Sequence, residues 1–406
     1  HTLEVYSRFT FDYPYHKAIS VHTDRIGMEY PMICFNGGRP EADGTYGKRT
    51  KYGLISVIIH EVGHNFFPMI VNSDERQWTW MDEGLNTFVQ YLAEKEWEED
   101  YPSRRGPAYK IVDYMRSQPE NMMPIMTNSE SILQFGNNAY GKPATALNIL
   151  RETIMGRELF DMAFQTYAQR WKFKHPTPAD FFRTMEDASA TDLDWFFRGW
   201  FYSTKHVDIA LKEVNWYQLS SGDPEKEKPR QRRENKVDRF LGDLRNDTAL
   251  RGKRYADKHP VVTDFYNRND RYTITKADRK QYEDYRSSLS EEEKTLLDEG
   301  YHFYEITFEN QGGLVMPVIV EFTFEDGSSE VIRAPAQVWL KNENQFTKTY
   351  VFEKTVQSVE LDPFLETADT DRDDNYWPSR REPSRFELYQ REKRSGQNLM
   401  QRLEDE

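Results

Sequence analysis

The chain has 406 residues, a formal net charge of −14 at pH 7 and one cysteine, Cys34. A chain of this length is enough for about two to four domains. The acidic balance argues against a nucleic-acid or an anionic-membrane partner, and a single cysteine excludes an intrachain disulfide and a cysteine-based zinc cluster.

The first residue is His1, without an initiator methionine or a leader pattern. We therefore expect a mature or truncated part of a longer polypeptide, which favours a periplasmic or extracellular location over a cytoplasmic one. The longest apolar runs, such as LVMPVIV at residues 314–320, are far shorter than the ~20 residues of a membrane-spanning helix. No transmembrane segment is predicted.

The first half of the chain is predicted to be mainly helical. Residues 1–50 contain short β-like stretches such as PMICF, and helical patterns dominate from residue 51 to about 202. The segment LISVIIHEVGHNFF is apolar on nearly every face and predicts a buried helix. Thr177, followed by Pro178 and Asp180, is typical of a helix start. Turn residues separate these segments, which indicates a helical bundle.

The second half changes character twice. Residues 206–300 include a dense run of mixed charge, DPEKEKPRQRRENKVDRF, which is typical of an exposed connector or a charged helix. From Tyr301 onwards strand-like segments alternate with turns at QGG and EDGSS, which predicts an immunoglobulin-like β-sandwich over residues 301–378. Residues 379–406 are predicted to be a charged tail.

The motif HEVGH at residues 60–64 ends the apolar run. Residues four apart share one face of a helix, so His60 and His64 can bind one metal ion, and Glu61 beside that face can act as a general base on water. The alternative is two histidines on the exposed side of an ordinary helix. That alternative fits the apolar run poorly, because a buried His-Glu-His needs partners or a metal.

A catalytic zinc site needs a third protein ligand and an open position. Glu83 follows His64 after eighteen residues, just before another helical pattern, and is the predicted ligand. Its neighbour Asp82 would point elsewhere on that helix, so we expect it to cap the helix or to support a ligand. Asn86 either hydrogen-bonds a ligand residue or lies on the helix surface.

Three motifs in the same order resemble the M1 family of gluzincin zinc aminopeptidases, which includes aminopeptidase N and leukotriene A4 hydrolase. The first is HEVGH with the Glu-Gly that follows it after eighteen residues. GMEYP at residues 27–31 is similar to the family's G-x-M-E-N motif, and YGKPA at residues 140–144 is similar to its Y-x-K-G-A segment. The resemblance covers roughly residues 10–205.

The resemblance implies a role for each motif residue. The implied zinc ligands, for one ion per chain, are His60, His64 and Glu83, and the implied catalytic residues are Glu61, as general base, and Tyr140, as hydrogen-bond donor to the oxyanion.

Substrate binding is implied for Gly27, Met28 and Glu29, and Glu29 would bind the free α-ammonium group. The chain departs from the family pattern at Tyr30, where the family has Asn, and at Pro143, where it has Gly. Tyr30 is expected to reshape the pocket for the first substrate side chain.

The implied function is a zinc metallo-aminopeptidase, which removes N-terminal residues from peptides by attack of a zinc-activated water. One alternative is a zinc endopeptidase, or another amide or epoxide hydrolase, on the same scaffold. The other is a non-enzymatic binding module on a peptidase fold. The expected partners are peptides with a free N-terminus.

The predicted fold is an α+β multidomain chain. A thermolysin-like, mostly helical zinc peptidase domain at residues 1–205 precedes the connector at 206–300, the sandwich at 301–378 and the tail at 379–406. The family's N-terminal β-domain is expected to be missing from this chain or to be a separate chain.

The acidic segment DTDRDDN at residues 369–375 resembles a calcium-binding loop at first sight. It lacks the Gly at the sixth position and the Glu at the twelfth, which is Arg380. A solvated acidic loop is therefore predicted.

Overall fold

The computed structural model describes residues 1–24, 26–380 and 398–404. The chain divides into two compact units. The first comprises His1–Glu213, Thr307–Thr347 and Val356–Glu406, and the second comprises Val214–Ile306 and Lys348–Thr355. The boundaries expected after residues 205, 300 and 378 stay a prediction, and most of the expected tail lies outside the described residues.

Helices are the main secondary structure of the first unit. Its α-helices up to residue 213 are α1 (Thr2–Phe9), α2 (Lys48–Gly63), α3 (Leu85–Trp97), α4 (Val112–Met115), α5 (Lys142–Ile149), α6 (Arg157–Trp171), α7 (Pro178–Ser189) and α8 (Asp194–Tyr202). Wider π-helical turns occupy Trp80–Gly84, Gly136–Gly141 and Leu150–Ile154, and a similar turn at Asn65–Ile70 is interrupted at Phe67, where the backbone is extended. Short 3₁₀ turns lie at Ala108–Ile111, Pro119–Asn121 and Ser129–Ser131.

The start of α7 follows the sequence prediction. The backbone N–H of Thr177 donates to Asp180 Oδ2 over 2.8 Å, and Pro178 occupies the first helical position. This arrangement satisfies a backbone donor that a helix start otherwise leaves free.

An aromatic core fixes the turn Trp80–Gly84. The ring of Trp80 is fully buried, stacks on Phe182 with ring centres 5.8 Å apart, and meets Phe201 edge-on at 4.8 Å. Aromatic contacts of this kind add about 0.5–1.5 kcal/mol each beyond the burial of area. Residues 81–84 therefore follow directly after a side chain that is anchored in this aromatic core.

A small sheet precedes α2. Its strands are β1 (Ile19–Thr23), β2 (Gly27–Tyr30) and β3 (Ile33–Gly37), with β3 in the middle, parallel to β1 and antiparallel to β2. The turn between β2 and β3 places Met32 in the left-handed region, with φ of 62°.

The strands expected beyond Tyr301 are present. They are β5 (His302–Asn310), β6 (Val318–Phe324), β7 (Ser329–Ala334), β8 (Gln345–Phe352), β9 (Val356–Leu361) and β10 (Tyr376–Trp377), after β4 (Ile209–Gln218), with a 3₁₀ turn at Ala336–Trp339. One sheet has the order β10-β9-β6-β7 and another has the order β4-β5-β8. The chain is a mixture of helices and small sheets, and the sandwich arrangement stays a prediction.

The second unit contains the segment of mixed charge. Its α-helices are α9 (Pro224–Glu234), α10 (Leu241–Ala249), α11 (Tyr255–Lys258), α12 (Phe265–Arg268), α13 (Lys276–Ser288) and α14 (Glu291–Glu299), with a 3₁₀ turn at Pro260–Val262. The charged run is thus helical in part. Ser290 and Glu293 cap the start of α14, and Gly300 ends it at φ of 69°.

A last helix, α15 (Leu399–Glu404), follows the undescribed segment. Asn398 Nδ2, just before it, donates to Thr45 Oγ1 over 3.0 Å. Among residues 1–24, 26–380 and 398–404, no helix has both the length and the apolar character needed to cross a bilayer.

Candidate active site

Helix α2 changes from half-buried to buried along its length. Residues 54–58 are half-buried, whereas the last turn is in the interior, with Ile59 2% and Glu61 5% exposed. The expectation of a wholly buried helix therefore holds only for its end. The half-buried turns line a cleft of about 820 Å³.

Three ligand-type side chains meet at the end of α2. His60 Nε2 and His64 Nε2 are 3.0 Å apart, and Glu83 Oε2 lies 3.1 Å from the first and 3.4 Å from the second. Ligands arranged tetrahedrally at ~2.1 Å from a zinc ion are about 3.4 Å apart. These three side chains form a cluster with the spacing and the chemistry of a zinc site. The fold thus brings the predicted ligands together.

The other ring nitrogens of the two histidines also have partners. His64 Nδ1 lies 2.9 Å from the Phe67 carbonyl oxygen and 3.0 Å from Asp82 Oδ1. His60 Nδ1 lies 2.9 Å from Gln90 Oε1. Acceptors at Nδ1 favour a proton there, which leaves the Nε2 lone pairs facing Glu83. Asp82 is therefore one of the supporting residues, as expected, whereas Gln90 was not identified from the sequence.

Helix α1 supports the site from a distance in sequence. Asn86 is fully buried, and its Nδ2 donates to the His60 carbonyl oxygen over 2.9 Å. Tyr6 Oη donates to Asn86 Oδ1 over 2.7 Å. A Cβ atom at Gly63 would collide with both Tyr6 and Asn86, so only glycine fits there. Asn86 is thus a supporting residue rather than a surface one.

Glu61 lies beside this cluster and faces strand β2. Its Oε2 atom is buried without a hydrogen-bond partner in the described residues. Burial raises the pKa of Glu61 to about 7, His64 opposes the rise, and Glu29 adds to it. A Cβ atom on Gly27 would come within 2.7 Å of Glu61 Oε1, so the missing side chain lets β2 approach α2 closely.

Asn65 joins β2 to the end of α2. Its Nδ2 donates to the Val62 carbonyl oxygen and its Oδ1 accepts from the Met32 N–H, both over 2.9 Å. Glu29 is thereby held near His64: oxygens of Glu29 and Asp82 and a ring nitrogen of His64 lie within 4.8 Å of one another. Met28, also predicted to bind substrate, is half-buried on the same strand.

Tyr140 contacts two of the three predicted ligands, Glu83 and His60. Its Oη donates to Glu83 Oε1 over 2.5 Å, and its ring stacks on His60 at 5.7 Å between ring centres. Burial raises the pKa of Tyr140, and the charge of Glu83 raises it further, so the phenol keeps its proton and can donate it in a hydrogen bond. Pro143, the departure from the family pattern, packs against Gly84.

The acidic segment at 369–375 is solvated only in part. Asp371 and Asp373 are exposed, but Asp369 is 6% exposed and Asn375 is fully buried. Burial raises the pKa of Asp369 to about 8. The prediction of a solvated loop was wrong for Asp369, Thr370 and Asn375, because hydrogen bonds within the fold, such as the one of 3.1 Å from the Asp371 N–H to Asp369, replace water.

Comparison with known proteins gives a consistent result. Residues 2–200 match the model of the peptidase family M1 domain. Glutamyl aminopeptidase of Bos taurus is 30% identical over 146 residues, which are 34% of this chain and 15% of the relative. Probable aminopeptidase 1 of Sulfurisphaera tokodaii is 25% identical over 199 residues, which are 46% of this chain and 25% of the relative.

Among solved structures, aminopeptidase A of Legionella pneumophila in complex with aspartic acid aligns with a TM-score of 0.48 at 12% identity, over 91% of this chain and 33% of that chain. The chain thus spans a third or less of the length of these proteins.

Proposed function

Because residues 2–200 belong to peptidase family M1, we propose that the chain carries the catalytic centre of a zinc aminopeptidase, which removes N-terminal residues from peptides. The observation that supports this best is the meeting of His60 Nε2, His64 Nε2 and Glu83 Oε2 within 3.4 Å of one another, beside a buried carboxylate. The relatives named as aminopeptidases support the same reaction class.

His60, His64 and Glu83 would hold one zinc ion per chain and leave a position open. A bound zinc ion supplies Lewis acidity, which lowers the pKa of water toward ~7 and polarises a peptide carbonyl. Glu61, with its unpartnered Oε2, accepts the proton of the attacking water and passes it to the leaving amine.

The remaining predicted residues orient the substrate. The Glu29 carboxylate binds the free α-ammonium group, while Gly27 and Met28 form the strand edge along which the peptide lies. Tyr140 turns its hydroxyl from Glu83 to the carbonyl oxygen as negative charge develops there. Such a donor stabilises the transition state more than the ground state.

The finer architecture is part of the proposal. We propose a thermolysin-like peptidase domain at residues 1–205, a connector at 206–300, an immunoglobulin-like sandwich at 301–378 and a tail at 379–406. We also propose that an N-terminal β-domain outside this chain completes the enzyme, and that the protein is exported. The family match over residues 2–200 and the strands β5–β9 support this arrangement.

A direct test is a screen of aminoacyl amides and peptides with and without a chelator, on the full-length polypeptide. We expect turnover of free-amine substrates that chelator abolishes and added zinc restores. Equal cleavage of N-acetylated peptides would instead indicate an endopeptidase, and zinc binding without any turnover would indicate a binding module.

The metal content is the first specific prediction. Purified protein is expected to contain one zinc per chain, and His64→Ala is expected to lose most of it, because His64 supplies one of three ligands and is 1% exposed. Elemental analysis measures both. His175→Ala, at an exposed histidine outside the cluster, is the matched control. Full zinc in His64→Ala would refute the ligand assignment.

A second prediction concerns Tyr140. Tyr140→Phe is expected to lower kcat by roughly 10²–10³, the range for one oxyanion donor, with little change in KM. Steady-state kinetics on an aminoacyl amide measure this, with the exposed Tyr109→Phe as control. A tenfold higher KM at unchanged kcat would make Tyr140 a ground-state contact.

A further inference from the structure

The cleft extends from the cluster in one direction. Glu29 lies beside His64 at the end of α2, whereas Gly27 lies beside Val57 and Glu61, up to two turns earlier. A peptide with its amine at Glu29 and its first carbonyl at the cluster must therefore run toward the earlier turns of α2. Its leaving portion, which begins with the second residue, enters the 820 Å³ cleft.

The wall of this cleft is rich in cations. Lys48, Arg49, Arg104 and Arg105 all line it. In the part of the chain that the structure describes, none of the four forms an ion pair. The carboxylate of Glu94, on the same wall, instead accepts hydrogen bonds from Ser56 and Gln90 at 2.7 and 2.8 Å.

Arg105 is the cation nearest to the reacting atoms. Its Cζ lies 4.5 Å from the ring centre of Tyr140, and that ring stacks on His60. Its Nη2 lies close to Gly136, in the turn that leads to Tyr140, since a Cβ atom there would be 3.3 Å away. The Arg105 guanidinium therefore contacts the Tyr140 ring, which in turn contacts His60, a predicted metal ligand.

The charges of Glu83 and Glu94 act on Arg105, but neither carboxylate forms an ion pair with it in the described residues. The side chain is half-buried, burial lowers its pKa, and the charge of the adjacent Arg104 lowers it further. The cation–π contact with Tyr140 offsets only part of the lost hydration. A carboxylate entering the cleft would supply both the charge and the acceptors that a guanidinium fork matches.

We propose that Arg105, with Arg104 beside it, binds a carboxylate on the second residue of the substrate and makes the enzyme selective for such peptides. The carboxylate comes either from the α-carboxylate of a dipeptide or from an acidic side chain. The proposal deepens the proposed aminopeptidase function and rests on it, because it assigns the leaving-portion side of the same cleft.

Two matched substrate pairs separate the two sources. Ala-Ala against Ala-Ala amide tests the α-carboxylate, and Ala-Glu amide against Ala-Gln amide tests the side chain. We expect kcat/KM to favour the carboxylate at least about tenfold in one pair, the scale of one charge-assisted hydrogen bond. Raising the ionic strength should reduce this preference.

Variants test the assignment to these arginines. Arg105→Gln is expected to bring the preference to within about twofold, Arg104→Gln to reduce it, and Arg105→Lys to retain part of it. Lys51→Gln, which removes a cation of α2 outside the cleft that contacts Glu98, is expected to keep the preference. Unchanged zinc content checks that each variant is folded.

Different results would refute the carboxylate site alone and the aminopeptidase function on which it rests. Turnover of the neutral amides without any carboxylate preference, or a preference that survives in Arg105→Gln, refutes the carboxylate site and leaves the aminopeptidase intact. Absence of turnover for all four substrates and for every aminoacyl amide of the screen, in the zinc-loaded full-length enzyme, refutes the proposed function and the carboxylate site with it.

Discussion

Glu61→Gln is expected to keep its zinc and to lose kcat by roughly 10⁴, the product of a general-base and a general-acid contribution of ~10² each. Glutamine has the shape of glutamate and fits the close approach of Gly27, but it cannot accept the proton of water. The measurement is kcat on the best aminoacyl amide, together with the zinc content of the variant.

The control for this variant is Glu96→Gln, which removes an exposed carboxylate of α3 that pairs with Arg8. It is expected to retain the wild-type rate. If Glu61→Gln kept half of the wild-type kcat, the proton-transfer role would have to be assigned to another group.

The second large effect is expected at Glu29. A substrate ammonium group must leave water to reach the cluster, and removing the buried partner of a charge costs about 2 kcal/mol or more, which is roughly 30-fold in kcat/KM. Glu29→Ala is therefore expected to slow free-amine substrates by at least this factor. N-acetylated peptides, which carry no charge there, should be affected little.

The measured quantity is the ratio of kcat/KM for a free-amine peptide over that for its acetylated form, on the full-length polypeptide. The acetylated substrate is an internal control for folding and for the zinc site, because Glu29 is not one of the three ligand residues. A ratio that stays within about twofold of wild type, a difference below ~0.4 kcal/mol, would falsify the amine-anchor assignment.

The parts of the site that depend on local geometry could be predicted from the sequence. The spacing of His60 and His64 fixes their common face as soon as the segment is helical. The cap of α7 at Thr177 and Asp180 is equally local. Predicting Glu83 as a ligand required more than local geometry, because its position depends on the packing of two separate helices. The spacing of the family's motifs supplied that information.

The supporting residues could not be predicted in the same way. Tyr6, Asn65 and Gln90 act through contacts with residues far away in the chain, and nothing in their neighbourhoods distinguishes them from other polar residues of a helical protein. The partial burial of residues 369–375 is similar. Composition predicts exposure for an acidic run, but the hydrogen bonds of buried Asp369 include a tertiary one, from the Ile209 N–H at 3.4 Å.

The two hydrogen bonds of Asn65 have a consequence for the step size of the proposed aminopeptidase. Because one amide side chain binds both the end of α2 and the turn after β2, it links the strand that carries Glu29 to the helix that carries two of the predicted zinc ligands. In the proposed enzyme, this link would keep the amine anchor at a constant distance from the metal ligands. A peptide shortened by one residue would then present its new amine at the same distance, and each cycle of the proposed reaction would remove one residue.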